Sequence, residues 1–571
     1  MIEGIAISEG VAIGFVKTVG KTAHKFEEKS PADPESETKR FEKALESFCD
    51  NMKKQAKNIK ETAGEEHAKI IEGHILMVKD PYMQSDTRKK IFEGSTAEKA
   101  FSDVCDDFRK IFLSSGDQLT MERAADVIDI KNGVLAELNG EEIIDFSMFP
   151  ENTVLVADEL TPSAVSSAGK NIVGIVTAVG GPTSHFAILA RAMGIPTVSG
   201  INEVTKKLKD GEKIVIDGSN GLIIPSPDSK TEKKYETEIA EMKKAQAENE
   251  MFRNRPTVTA DGVPKKVFCN IGDTAEADLA AKCGGEGVGL FRTEFMLADS
   301  KTVPSEEQQF ENYKKTVSAF GGDPLIIRTF DVGGDKKYPC LNNAANEENP
   351  FLGLRGIRFL FKHENLLRTQ IRAVLRASAF GEIGLMIPLV TSVEEVTKFK
   401  EIYREECENL KSENEEIGSN VKLGVMIETP AASLIAPLLA KEVDFFSIGT
   451  NDLVQYTMAA DRGNSSVEYL SSPFFPAVIR SLKLIIESGE KAGIAVGMCG
   501  EAAANPLLIP VLIGLGLEEF SVNPRAVLRT RREISKWCVN DCKKIAEKVL
   551  AFSEEKEVKE YLKSLHKKTQ A

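Results

Sequence analysis

The sequence predicts a multidomain α/β chain: an α/β domain with a helical bundle inserted in it, a linker helix, and a C-terminal (β/α)8 barrel. Three observations point there. Eight short β-type runs alternate with helical patterns through residues 256–571, the signal for a parallel barrel, which typically takes about 250 residues before insertions. Two β-rich stretches in the N-terminal part are separated by a long region of helical periodicity. A segment polar nearly all round joins that part to the barrel.

Residues 1–20 are β-like, with Ile5, Ala6, Ile7 and then Val11, Ala12, Ile13, Phe15 and Val16 set around glycines. From 34 to 140 the pattern turns helical: Phe41, Leu45, Phe48, Met52, Ala56 and Ile59 recur at spacings of three and four, which makes one apolar stripe. A second stripe runs through Ala68, Ile71, Ile75 and Val78 and stops before Asp80-Pro81. Short β runs return at 153–156, 172–176, 213–216 and 222–224. The expected α/β domain is therefore 1–20 with 146–225, and the inserted bundle is 21–145. Residues 226–255 read as a helix that bridges domains through solvent. In the barrel, 256–571, the expected strands are 265–271, 287–291, 325–329, 384–388, 422–427, 445–448, 494–498 and 519–522.

A length of 571 residues is too much for one domain, and 42% hydrophobic with 28% charged residues is ordinary globular composition. The formal charge of −14 argues against sequence-independent nucleic-acid binding, which needs a basic footprint. No apolar stretch approaches the ~20 residues of a membrane span. The N-terminus lacks a basic region followed by a long apolar core, so no signal peptide is expected. Nine cysteines, an odd number without metal-site spacing, read as reduced thiols of a cytoplasmic protein. Cys538 and Cys542 lie four apart on an expected helix and take no assigned role; His67 and His74, one heptad apart on a helix, could pair on a metal, but surface helical histidines are commoner and neither enters the chemistry.

His185 stands where a β-branched run hands over to good helix formers, after Val179-Gly180-Gly181-Pro182-Thr183-Ser184 and before Phe186-Ala187-Ile188-Leu189-Ala190-Arg191. The glycine pair lets another backbone approach closely. The helix start offers N–H groups and a positive dipole end to an anion, and neutral imidazole is a good phosphoryl acceptor near pH 7. The segment by itself admits a second reading, a capping turn in which Thr183 or Ser184 caps and the histidine is incidental.

Reactive groups of such barrels lie at the C-terminal ends of the strands, and polar residues concentrate there. Strand two ends in Phe291-Arg292-Thr293-Glu294 and strand three runs on to Asp335-Lys336 from Arg328. Strand five gives Glu428-Thr429-Pro430, strand six Gly449-Thr450-Asn451-Asp452, and strand seven Cys499-Gly500-Glu501. Arg355-Gly356-Ile357-Arg358 follows in a loop, and Asp461-Arg462-Gly463-Asn464 lies beyond strand six. One strand-end arginine is ordinarily a salt-bridge partner; Arg292, Arg328, Arg358 and Arg462 with Lys336 converging on one mouth make an anion-selective pocket. Glu428 and Asp452 on adjacent strands fit Mg2+, which is held by one or two carboxylates plus substrate oxygens. The implied substrate is small and carries both phosphate and carboxylate.

The motifs at 180–191, 287–295, 448–464 and 497–501 resemble enzyme I of the bacterial phosphotransferase system, the phosphoenolpyruvate–protein phosphotransferases, and the resemblance runs over essentially the whole chain. It implies a swivelling phosphohistidine domain, a bundle that docks the small phosphocarrier HPr, a phosphoenolpyruvate-binding TIM barrel with Mg2+, and a homodimer formed through the barrel. By motif it implies His185 as the phosphorylated nucleophile and Cys499 as the acid that protonates the enolate. Arg292, Arg328 and Arg462 bind the phosphate, Asn451 helps fix the substrate, and Glu428 and Asp452 ligate the metal. Thr161 matches a threonine that hydrogen-bonds the histidine. Asp335 and Glu501 are ligands or orienters of ligands. Cys499 also has a bland reading, a buried structural thiol.

Three positions depart from the family pattern: Pro182 stands for Arg, Phe186 for Ser or Thr, and Ile128 for Arg. Two rival readings differ in class. A pyruvate–phosphate dikinase or phosphoenolpyruvate synthase needs a large nucleotide-binding domain before the histidine, and the 184 residues there carry no Gly-rich phosphate loop. A regulatory relative that binds without catalysis sits poorly with the intact Arg/Glu/Asp/Cys set.

Overall fold

The computed structural model describes the chain except residues 20–32, 63–64, 115–117, 141–145, 147–148, 161–163, 166–167, 182–183, 299–301, 335–337, 339, 342–346, 419–420, 465 and 571. It forms two compact units, Met1–Ala245 and Gln246–Ala571.

The first unit holds one eight-stranded sheet: β1 (Ile2–Glu3), β2 (Ile5–Ser8), β3 (Val11–Val19), β4 (Thr153–Ala157), β5 (Ile172–Thr177), β6 (Thr197–Ser199), β7 (Lys213–Asp217) and β8 (Leu222–Pro225). The order is β1-β8-β7-β3-β4-β5-β6-β2. β3 to β6 run parallel, while β7 and β8 continue the sheet antiparallel beyond β3. β3 thus sits between strands that follow it by more than a hundred positions, with Val16 opposite Val154 and Ile13 opposite Val215.

Between β3 and β4 come helices Pro34–Thr62, Glu65–Val78, Pro81–Phe92, Ala97–Leu113 and Gln118–Asn139. The stripe Phe41, Leu45, Phe48, Met52 and Ala56 is buried, and the Phe41 and Phe101 rings meet at 5.5 Å. Pro81 opens its helix at a position needing no N–H, and the Asp80 side chain accepts from Tyr82 and Met83 N–H.

His74 corrects the sequence expectation. It is buried, not on the surface, with its ring nitrogens 3.4 and 3.6 Å from the carboxylates of Asp126 and Asp129. Its position explains this: Ile71, His74 and Val78 follow at three and four, so the histidine is in phase with the apolar stripe. The side chain of His67 lies outside the described residues. Ile128 is half-buried on the same helix as Asp126 and Asp129.

The polar helix Ser229–Glu250 buries only Tyr235 along its length.

In the second unit β9 (Lys266–Ile271), β10 (Val288–Arg292), β11 (Leu325–Arg328), β12 (Ile383–Ile387), β13 (Lys422–Ile427), β14 (Phe445–Ile448), β15 (Ala495–Met498) and β16 (Glu519–Val522) close into a barrel. Every neighbouring pair is parallel, including β16 with β9. The eight runs expected from sequence are these strands, three of them with the same bounds and five displaced by one residue at one or both ends. Inside, Leu290, Ile326, Met386, Met426 and Phe445 form one buried cluster. Gly424 is required there, because a Cβ would lie 2.3 Å from the Phe445 ring.

The long connection after β10 contains helix Glu306–Ala319, opened by a reciprocal capping box of Ser305 and Gln308. Helices Ile357–Lys362 and Glu364–Ala377 precede β12.

Gln370, buried on helix Glu364–Ala377, ties two strand ends to that helix. Its amide donates to the Thr293 and Tyr313 hydroxyls at 3.1 Å each, and its carbonyl accepts from Phe330 N–H at 3.0 Å. Thr293 in turn donates to the Arg328 carbonyl at 2.8 Å. All of these groups are buried, so no water replaces a lost partner. Gln370→Leu is expected to lower barrel stability by about 2–3 kcal/mol. The midpoint of its chemical-denaturation transition reads this out, and an unchanged midpoint would contradict the accounting.

Candidate active site

Strand geometry aims the site. Side chains two apart on a strand face the same way, so the interior residues Leu290, Ile326 and Met426 have Arg292, Arg328 and Glu428 above them at the C-terminal ends. These three line a cavity of about 950 Å3 with Asn451, Asp452, Arg462 and Cys499. With Glu501, eight of the residues singled out from sequence therefore share one mouth. Arg292 and Arg462 are exposed; Arg328, Glu428, Asp452 and Cys499 are buried.

Arg328 reaches the Glu294 carboxylate at 2.9 Å and Asp331 at 3.4 Å, and its other Nη lies 3.6 Å from the Met426 sulfur. Burial opposes its charge, but the carboxylates of Glu294, Asp331 and Glu428 outweigh that and raise its pKa. It is a fixed cation.

Glu428 accepts a 2.7 Å hydrogen bond from Leu389 N–H. Leu389 has φ of 56°, a left-handed conformation that costs a non-glycine residue roughly 1–2 kcal/mol. Strain is thus held beside the carboxylate. Gly449 leaves it room, since a Cβ there would come within 2.8 Å of Glu428 Oε2. Burial and the neighbouring charges of Asp452 and Asp331 push the Glu428 pKa well above the ordinary carboxylate range.

The Cys499 sulfur donates to the Ile448 carbonyl at 3.8 Å. Burial raises its pKa above the ordinary thiol value, although Ser447, Arg328 and Arg292 work the other way. The side chain is therefore a thiol, not a thiolate, at neutral pH. Gly500 beside it packs so tightly that a Cβ would fall 1.8 Å from the Thr450 hydroxyl. Asn451 and Glu501 bind each other reciprocally at 3.3 Å.

Arg358 is a correction. It does not line the cavity; on helix Ile357–Lys362 its Nε points to Glu395 at 4.0 Å. Gly356 makes the turn at φ of 58°, and the helix that begins after it carries Arg358 away. Lys336, Asp335, Thr161 and Pro182 lie outside the described residues.

His185 belongs to the first unit. It is the first residue of helix His185–Met193, with Ser184 at the N-cap and Gly194 closing the helix at φ of 68°. Ser184 makes no side-chain cap: its hydroxyl donates back to the Gly181 carbonyl at 2.7 Å. The capping turn weighed from sequence is thus not made by Ser184. Thr183 and the His185 side chain lie outside the described residues.

Residues 246–538 match the family described as PEP-utilising enzyme, PEP-binding domain; 149–221 match PEP-utilising enzyme, mobile domain; and 3–123 match PEP-utilising enzyme, N-terminal. The phosphoenolpyruvate-protein phosphotransferase of Priestia megaterium is 39% identical over 565 residues, 99% of this chain and 98% of that one. That of Listeria monocytogenes is 40% identical over 561 residues, 98% of each chain. The chain belongs to the phosphoenolpyruvate–protein phosphotransferase family. A solved Enzyme I structure, 32% identical, aligns over its full length with 43% of this chain at a TM-score of 0.38.

Four charged cavity residues carry no role in the sequence reading: Arg355, Asp331, Glu294 and Arg529. Arg355 grips Asp331 at 2.9 and 2.9 Å and Asp452 at 3.0 and 3.0 Å, two forks on one guanidinium. It also donates to the Tyr456 hydroxyl at 3.2 Å. The signal was present in Arg355-Gly356-Ile357-Arg358, but loop residues have no period to say which arginine faces inward. Among the described residues no cluster of three or more His, Cys, Asp or Glu side chains is arranged for a metal. Two buried carboxylates, Glu428 and Asp452, line the cavity, and hard oxygen donors in that number suit Mg2+ completed by substrate and water.

Removing Arg355 leaves Asp331 and Asp452 as buried charges without their main partner. Arg355→Met is expected to cost the barrel about 3–5 kcal/mol, and adding Asp331→Asn is expected to restore part of it. Chemical denaturation of both variants checks this; equal losses in the single and double variants would refute the charge-balance account.

Proposed function

We propose that this chain transfers the phosphoryl group of phosphoenolpyruvate to His185, releases pyruvate, and passes the group on to the phosphocarrier HPr, the first step of sugar uptake by the phosphotransferase system. One observation carries this reading: cationic Arg292, Arg328 and Arg462, acidic Glu428 and Asp452, amide Asn451 and thiol Cys499 line one cavity. That set matches a small, doubly anionic substrate that needs a proton delivered to carbon.

Arg292, Arg328 and Arg462 hold the phosphate, and Asn451 fixes the carboxylate end. Glu428 and Asp452 hold Mg2+, which when bound neutralises charge on the substrate oxygens. Arg355 replaces Arg358 in this account, since it carries Asp452. The P–O bond to the enol oxygen breaks as the imidazole nitrogen of His185 bonds to phosphorus. The enolate left behind takes a proton at carbon from the Cys499 thiol, giving pyruvate, and the thiolate regains its proton from solvent. Rate comes mainly from positioning and charge neutralisation. From sequence, Lys336 is read as a further substrate-binding cation and, by motif, Thr161 as the residue that orients the histidine.

The domains follow from these roles. Residues 1–20 with 146–225 carry the phosphohistidine, 21–145 dock HPr, 226–255 link, and 256–571 bind phosphoenolpyruvate and form the homodimer. The histidine domain swings between barrel and carrier. A cytoplasmic location is in keeping with the substrate, and among the described residues no helix is long and apolar enough to cross a membrane.

Incubation with labelled phosphoenolpyruvate and Mg2+ is expected to yield an acid-labile label on the protein that chases onto HPr. His185→Ala should abolish labelling while phosphoenolpyruvate still binds, as seen by calorimetry; a stable label on that variant would overturn the reading. Cys499→Ser should bind substrate yet lose most turnover, because a serine hydroxyl is a far weaker acid than a thiol. Wild-type turnover would return Cys499 to a packing role.

A further inference from the structure

The turn before His185 is held by two anchors that none of the assigned roles uses. β5 ends at Thr177, and Val179 N–H then donates to the Asp158 carbonyl at 3.0 Å. At Gly180 the backbone takes φ of 130°, and a Cβ there would fall 2.1 Å from Cε1 of Phe186. The buried Phe186 ring therefore lies directly against the Gly180 backbone. This is one of the positions where the chain departs from its family, which places a hydroxyl residue after the histidine.

From the other side, Ser199 at the end of β6 donates its hydroxyl to the Gly180 carbonyl at 2.7 Å. Thr177 donates to the Ser199 oxygen at 2.8 Å. Thr177 and Ser199 are fully buried. A carbonyl only accepts, so the Ser199 proton is committed to Gly180 and the Thr177 proton to Ser199. The relay has one direction.

Residues 178–181 include two adjacent glycines, so without anchors this stretch has many conformations. Group transfer is sensitive to displacements of about 1 Å at the reacting atoms. Both anchors act on Gly180, five residues before the first residue of the helix, and Ser184 N–H closes back on the Gly181 carbonyl at 3.2 Å. We propose that Phe186, Ser199 and Thr177 are positioning residues: the ring below and the hydroxyl relay beside Gly180 fix the turn that delivers His185. This rests on His185 being the phosphoryl acceptor.

The test uses the full-length chain, labelled phosphoenolpyruvate and Mg2+. Ser199→Ala, Thr177→Val and Phe186→Ser are compared with Ser199→Thr, which keeps the hydroxyl. Ser199→Ala and Phe186→Ser are expected to slow labelling at saturating phosphoenolpyruvate by roughly ten- to a hundredfold, with KM for phosphoenolpyruvate unchanged. Thr177→Val should fall between them and wild type, and Ser199→Thr should recover most of the rate. The 15N resonances of the His185 imidazole should shift in the slow variants, which a role confined to stability would not produce. Wild-type rates and unshifted imidazole resonances in folded Ser199→Ala and Phe186→Ser overturn the proposal. If Ser199→Ala fails to fold, Phe186→Ser and Thr177→Val decide it by the same readouts. A His185→Ala control that still labels would show instead that the acceptor reading itself is wrong, whatever the anchors do.

Discussion

Charge balance among buried groups governs the barrel mouth. Glu294, Asp331, Glu428 and Asp452 are all buried there, and an unpaired buried carboxylate is costly. Arg328 and Arg355, both buried, supply the compensating cations through direct contacts with Glu294, Asp331 and Asp452. The remaining cavity arginines, Arg292, Arg462 and Arg529, are exposed. The mouth thus contains two kinds of arginine with different work: an inner pair that makes the carboxylates tenable, and an outer, exposed set left to meet an anion. Among the described residues Glu428 has no such bidentate partner; burial and the charges of Asp452 and Asp331 raise its pKa, and its hydrogen bond comes from the N–H of the strained Leu389.

That balance can be built only because the barrel fixes which way each side chain points. Leu290, Ile326 and Met426 fill the interior, and the next residues of the same parity on those strands must emerge at the mouth. Gln370 then ties the connections after β10 and β11 to an outer helix, so that the ends carrying Arg292 and Arg328 are held from outside as well. The site is an extension of the core, not an attachment to it.

These relations set what the sequence could disclose. The eight barrel strands were legible because each is a short apolar run bounded by turn residues, and the strand-end residues Arg292, Arg328, Glu428 and Cys499 follow from where those runs stop. β6 was not found: Thr197–Ser199 is three residues long, too short for any period to show. Arg355 was passed over for Arg358 because loop geometry, here Gly356 at positive φ, decides which of two nearby arginines turns inward. His74 was misplaced because a polar residue was read by type, although its spacing from Ile71 and Val78 put it inside. Charge partners such as Glu294 and Asp331 have no local signature, since their meaning lies in contacts across strands.

The position of β3 in its sheet has a consequence for how the chain is made. Its neighbours β4 and β7 lie on the far side of the five-helix insertion, so β3 has no partner while the insertion is being synthesised. The helices, by contrast, bury their stripes mainly against one another, with contacts close in sequence that form early. During synthesis the bundle therefore takes shape first and brings the two chain ends it emits near each other, shortening the loop the sheet must close. Until Thr153–Ala157 has left the ribosome neither edge of β3 has its partner, and until Lys213–Asp217 follows one edge stays open, so this N-terminal strand is where a nascent chain is most exposed to wrong pairing.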